Sequence, residues 1–318
     1  MITYGLFILG FILLIKGASF LVDGSASIAK RLNISSIVIG LTIVAFGTST
    51  PELIVNIFAS YQGNSEIAIG NVLGSNIVNI FFILGICAII YPITANKNTV
   101  LKEIPLSFLA AMIIGFMAND RLLDGASFSS ISKIDGLVLL SFFVIFLYYV
   151  FGISTSHTDN TEEDIKIFSS SKSVLYIILG LLGLLIGGKW IVDGAVKFAE
   201  IFDVSESLIG LTIVAVGTSL PELATSAMAA YKKQSDIAIG NVVGSNIFNI
   251  FFILGTSAFI RPLPFDTTSN VDIAMTMFAS IMLFLVMFMG KKREIKRWQG
   301  AGFVAIYVAY VVFLILTK

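Results

Sequence analysis

At 318 residues, 57% of them hydrophobic and only 13% charged, the chain is too apolar for a soluble domain, which would carry about 25% charged residues. Twenty basic residues balance twenty acidic ones, so no nucleic-acid partner is indicated. A single cysteine, Cys87, excludes an internal disulfide, and a single histidine, His157, excludes a multi-histidine metal site or a His-based triad within the chain.

A membrane-crossing helix needs about 20 apolar residues. In chain order, candidate spans fall at about 3–22, 35–60, 67–91, 103–118, 134–152, 174–193, 205–230, 237–260, 271–290 and 298–316. The first run starts directly after Met1 with no basic leader and with Lys16 inside it, which argues against a cleaved signal peptide. The fourth run is the shortest. A polar stretch, 153–173, divides the ten into two sets of five. The expected organisation is a first five-helix repeat over 1–152, a linker loop over 153–173 and a second repeat over 174–318.

Sliding the sequence by 170 residues makes the division a duplication. Positions 40–90 match 210–260 at 34 of 51 places without a gap, and "FLVDG" (20–24) aligns with "WIVDG" (190–194). Five is odd, so the second repeat must enter the membrane from the opposite side, as an inverted repeat. Thirteen basic residues fall in one set of alternate loops and five in the other. The richer set is expected in the cytoplasm, with both termini outside the cell membrane. The expected fold class is therefore an all-α membrane protein of ten transmembrane helices in two inverted five-helix repeats.

Each repeat carries two polar stretches inside apolar spans: "GTSTPE" (47–52) with "GTSLPE" (217–222), and "GNVLGSNIVN" (70–79) with "GNVVGSNIFN" (240–249). Glu52 and Glu222 are the acidic residues deep inside spans. Asp23, Asp193, Glu103 and Asp272 fall near predicted ends, where water reaches them. An intramembrane carboxylate is expensive and points to function. A proline kink or a small-residue stretch alone commonly means packing, but two glutamates at matched positions, each behind Thr-Ser-x-Pro, do not. Proline lacks an N–H, so Pro51 and Pro221 leave the carbonyls of Gly47 and Gly217 without helical donors. Carboxylates, hydroxyls, amide oxygens and freed carbonyls form a hard-oxygen donor set suited to Ca²⁺ or Na⁺ and ill suited to zinc or copper. Asn71 and Asn241 fit either ion contact or helix–helix hydrogen bonding.

These duplicated motifs resemble the two alpha-repeats of the sodium/calcium exchanger family, within the calcium/cation antiporter superfamily, and look most like its compact prokaryotic members. The resemblance implies sodium-driven calcium antiport by alternating access, with Ca²⁺ and Na⁺ as transported ions, no cofactor and no enzymatic activity. It implies central carboxylates at Glu52 and Glu222 and carbonyl oxygens from Thr48 and Thr218 toward calcium. Flanking sodium sites would use Ser49, Ser219, Ser75 and Ser245 with the carbonyls of Ala45 and Ala215, and Asn79 and Asn249 would lie at the centre beside the glutamates. Some relatives, including the potassium-dependent branch, carry Asp where this chain has Asn249, so two ionisable groups are expected here and potassium dependence is not. The partners implied are the lipid bilayer and the two ions, with no nucleic acid and no obligate protein partner evident. A cation/proton exchanger on the same fold is the nearest alternative, with the same glutamates carrying protons. An ion channel fits an inverted duplication with broken helices less well. An intramembrane hydrolase lacks a placed His or Lys base.

Overall fold

The structure, a computed structural model, describes residues 2–154, 166–201, 215–289 and 293–317. Among them, eight helices are long and apolar enough to cross a membrane. A ninth span is a bent pair, Ser36–Thr48 and Thr50–Gln62, which meet at 48°. The remaining expected span, 205–230, is described from Ala215 onward, as helices Ala215–Thr218 and Leu220–Tyr231. His157, the acidic residues of the linker and the start of that span lie outside the described residues. The molecule is an all-helical membrane protein, and its spans are numbered 1 to 10 in chain order.

Spans 1 (Ile2–Leu32) and 6 (Ser170–Ile201) are the longest helices, 31 and 32 residues. They pack side by side along glycines: a Cβ on Gly17 would lie 2.8 Å from the Gly180 carbonyl oxygen, and one on Gly187 2.7 Å from that of Gly10. In lipid, where hydrophobicity does not drive helices together, such close backbone approach is what holds a pair. Span 6 crosses the breaks of both repeats. The ideal Cβ of Gly47 would be 2.3 Å from Leu181 and that of Gly217 2.3 Å from Val192.

Spans 3 (Ser65–Ile90) and 8 (Ser235–Ile260) form the centre, with span 8 almost wholly enclosed. Spans 4, 5, 9 and 10 flank them: helix 270–289 packs on 104–117, helix 133–154 on 255–260, and helix 297–317 on 84–90. Their outer faces, with Tyr148, Phe151, Val308 and Leu316 exposed, meet lipid. Span 4 begins earlier than the hydropathy suggested. A π-helical turn, Thr99–Glu103, adds to Ile104–Met117 and carries Glu103 inside.

Two very short antiparallel ribbons tie the repeats together. Ile93–Thr94 pairs with Glu294–Ile295, and Ser130–Ile131 with Leu263–Pro264. Each ribbon joins a loop of one repeat to a loop of the other, so the two loops share a membrane face. An even number of crossings must separate them. Between Ile131 and Leu263, spans 5, 6 and 8 need a fourth, which is span 7. The ribbon partners are thus consistent with ten crossings.

Candidate functional site

Helix Ala45–Thr48 stops at Ser49, whose backbone (φ −80°, ψ 8°) leaves the helical region, and a new helix starts at Thr50. Pro51 falls in that first turn, where its missing N–H removes no hydrogen bond. The second repeat does the same: Ser219 (φ −87°, ψ 6°) precedes helix Leu220–Tyr231 with Pro221 in its first turn. A serine at this N-cap position ordinarily turns its hydroxyl back on its own helix. Neither does so here. Ser49 Oγ donates to Glu222 Oε1 at 2.8 Å, and Ser219 Oγ donates to Glu52 Oε1 at 3.2 Å. Each repeat holds the other's glutamate.

Ser75 adds a second hydroxyl to Glu52 Oε1 at 3.4 Å and lies 3.4 Å from Ser219 Oγ. Both glutamates are buried, at 1% and 0% exposure. In each, the second oxygen, Oε2, is buried with no hydrogen-bond partner. Among the described residues neither carboxylate has a basic partner within ion-pair distance.

Asn79 and Asn249 sit in widened π-helical turns, Val78–Ile83 and Asn249–Leu254, a distortion frequent at functional sites. Their amide nitrogens are anchored across the repeats, Asn79 to Asn246 Oδ1 at 2.9 Å and Asn249 to Asn76 Oδ1 at 3.0 Å. Asn76 and Asn246 in turn donate to one another's backbone carbonyls at 3.2 and 3.3 Å. The Oδ1 atoms of Asn79 and Asn249 are left buried and unpartnered, as is the hydroxyl of buried Ser245.

The remaining expected residues take three kinds of place. Thr48 directs its hydroxyl to Asn241 Oδ1 at 3.0 Å, with Ala45 O at 3.3 Å, and the Ala45 carbonyl also accepts from the Ser49 N–H at 3.0 Å. Thr218 ends its helix half-buried beside a cavity. Ala215 opens that helix, and its side chain lies outside the described residues. Asn71 and Asn241 resolve as positioning groups. They donate to the backbone carbonyls of Glu52 (3.3 Å) and Glu222 (3.5 Å) and to Asn56 Oδ1 (2.6 Å) and Ser226 Oγ (2.9 Å).

Asn76, Asn246, Asn56 and Ser226 were not singled out from the sequence. The available signal was register: 76 and 246 are both Asn, and 56 and 226 are both polar, one turn beyond each glutamate. Glu103 corrects an expectation. It is 1% exposed and accepts a hydrogen bond from the Tyr149 hydroxyl, whereas the span-end reading put it in water. Asp272 makes the matching contact with Tyr310 in the other repeat.

Against the prolines of the two breaks lies a cavity of about 160 Å³, lined by Pro51, Gly188, Lys189, Asp193, Thr218 and Pro221. It lies toward the C-terminal half of span 6, away from the membrane face rich in lysine and arginine. Span 1 packs along helix 220–231, whereas span 6 packs far less along the matching helix 50–62. The cavity occupies that looser side.

The family model for sodium/calcium exchanger proteins matches residues 2–152 and 172–316, nearly the whole chain. The chain belongs to the sodium/calcium exchanger family. It is 33% identical to the sodium/calcium exchanger MaX1 of Methanosarcina acetivorans, with 98% of both chains aligned. It is 32% identical to the inner membrane protein YrbG of Escherichia coli (strain K12), over 95% of this chain and 93% of that one. The solved structure of the sodium–calcium exchanger NCX_Mj superposes with a TM-score of 0.84 at 38% identity, covering 98% of each chain. This exchanger-family chain is therefore a multi-pass secondary transporter and not an enzyme.

Proposed function

We propose that the protein exchanges Na⁺ for Ca²⁺ across the cell membrane by alternating access, sodium entry driving calcium out. The observation that carries this reading is the set of buried acceptor oxygens without donors: Glu52 Oε2, Glu222 Oε2, Asn79 Oδ1 and Asn249 Oδ1. Two come from each repeat; the amide oxygens can only accept, as can the carboxylate oxygens when ionised, and unpaired burial of such groups costs several kcal/mol each. A cation is the ligand that removes the cost. Two carboxylates neutralise one Ca²⁺, and neutral amide and hydroxyl oxygens extend the count toward the roughly six to eight that calcium takes.

In this reading Glu52 and Glu222 are shared by calcium and sodium. The Thr48 and Thr218 carbonyls face calcium. Ser49, Ser219, Ser75 and Ser245, with the carbonyls of Ala45 and Ala215, complete flanking sodium sites. The serine hydroxyls that hold Oε1 keep each carboxylate aimed at the centre while the site is empty. Spans 1 and 6 move as one glycine-packed unit over the two breaks. Two carboxylates in an empty site repel one another, so either they take up protons or the empty protein does not readily switch sides, and ion occupancy is thereby coupled to movement. The lysine-rich face is cytoplasmic and both termini are outside. More than two sodium ions per calcium would move net charge, worth about 2.3 kcal/mol per charge per 100 mV.

The test is uptake of radioactive calcium into sodium-loaded proteoliposomes diluted into sodium-free buffer. Uptake that requires internal sodium and is lost in Glu52→Gln is expected. Uptake driven only by a proton gradient would transfer the same site to cation/proton exchange.

A further inference from the structure

An inverted repeat makes the two faces of the transporter near-equivalent, so any contact present on one face and missing from the other sets a preference between them. One such contact stands out. Lys232, at the end of helix 220–231, reaches span 1, where its ammonium lies 2.7 Å from Asp23 Oδ1. It also donates to Ser19 Oγ at 2.8 Å and to the Ser19 carbonyl at 3.2 Å. All three are partly buried, with the side chains of Lys232 and Asp23 22% and 35% exposed.

The 170-residue shift identifies the counterparts on the other face. Asp23 corresponds to Asp193, Ser19 to Lys189 and Lys232 to Gln62. The aspartate is kept, but the helix that follows the break offers an amide where its partner offers an ammonium. The only nearby cation in that set has moved onto the same helix as the aspartate. No ion pair between span 6 and helix 50–62 occurs among the described residues. This is also the side where the cavity lies and the packing is loose.

We propose that Lys232, Asp23 and Ser19 form a one-sided latch. It closes the cytoplasmic approach to the ion site and rests the transporter facing outward, and it must break each time the site opens inward. The proposal rests on the reading of spans 1 and 6 as the moving unit. Lys232 is a positioning residue: it touches no transported ion and acts by setting the populations of the two conformations. An equilibrium between two conformations that is biased by one contact shifts, when the contact is removed, by the factor that contact is worth.

The experiment introduces Leu185→Cys, which lines the outward cavity, with Cys87 left in place as a fully buried thiol. Labelling by a membrane-impermeant maleimide is timed from the outside in right-side-out vesicles, with and without sodium and calcium. Lys232→Gln, which reproduces the amide at position 62, and Asp23→Asn are each expected to lower the outward-to-inward ratio roughly three- to fivefold in sodium buffer, where the loaded site switches, and so to slow labelling. The exchanged pair, Asp23→Lys with Lys232→Asp, is expected to restore it. Single variants that label at the parent rate, or an exchanged pair that does not recover, overturn the latch. Labelling of the parent that ignores both ions overturns the alternating-access reading beneath it, and the latch with it.

Discussion

Ser49 and Ser219 occupy positions where serine normally caps its own helix, and both give that hydrogen bond to the glutamate of the opposite repeat instead. The helix starts lose a cap worth about 1 kcal/mol, and two buried carboxylates gain charge-assisted donors worth about 1.5–3 kcal/mol each. The exchange favours the site. Replacing either serine by alanine removes a neutral oxygen suited to a monovalent ion. The expected result is a rise of roughly tenfold in the sodium concentration that half-drives exchange, with a smaller change for calcium, read from initial rates at graded internal sodium. At this scale the sequence revealed whatever was chemically out of place: a carboxylate or a proline at membrane depth needs an explanation. It concealed Asn76 and Asn246, because an asparagine beside Gly and Ser in an apolar helix reads equally as packing. Their crossed contacts to each other's carbonyls depend on two segments 170 residues apart coming into register.

Among the elements, the broken spans depend on span 6 passing close over both interruptions. Gly47 faces the tip of Leu181 and Gly217 faces Val192. A leucine end can rotate away, whereas a β-branched valine is stiff. Gly217→Ala is therefore expected to cost about 1–3 kcal/mol of overpacking and to slow exchange at least several-fold, with Gly47→Ala the milder of the two. Comparing initial calcium uptake at equal reconstituted protein checks the order. A Gly217→Ala protein that exchanges at the parent rate would mean span 6 does not ride over the break. Hydrophobic runs and the duplication made nearly every span legible. The π-helical turns at Val78–Ile83 and Asn249–Leu254 left no pattern, because a single widened turn keeps the same apolar composition. The two-residue ribbons are too short for any alternation to register. Span 4 starts at 103 in the sequence reading because Lys102 and Glu103 look like a span end in water, whereas the helix begins at Thr99 and Tyr149 supplies the hydroxyl that pairs with buried Glu103.

Across the whole molecule, unoccupied carboxylates are a liability that ligand binding repays, and this is measurable as stability. Glu52→Gln and Glu222→Gln replace a buried, half-satisfied charge with a neutral group of the same shape. Without ions these variants are expected to unfold at or above the parent temperature, since removing an unpaired buried charge is neutral or favourable. With calcium at about 100 times its dissociation constant, the parent should gain about 2.7 kcal/mol by mass action, and the variants should gain none. Detergent-solubilised protein melted with and without calcium reports both halves of the expectation. A parent insensitive to calcium would remove the site from the centre of the fold.

The crossing of the hydrogen bonds between repeats also bears on how the chain is made. Ser49 precedes the Glu222 it holds by 173 residues, and Glu52 precedes Ser219 by 167. At a synthesis rate of about 5–20 residues per second, the first glutamate waits roughly 8 to 33 s for its partner. During that interval the early half has a broken helix, a carboxylate that lacks the Ser219 donor and a loop at Ile93–Thr94 whose ribbon strand has not yet left the ribosome. The first repeat alone therefore has its own crossings but lacks the donor that the second repeat gives its glutamate. It becomes a transporter only when the second half slots into it.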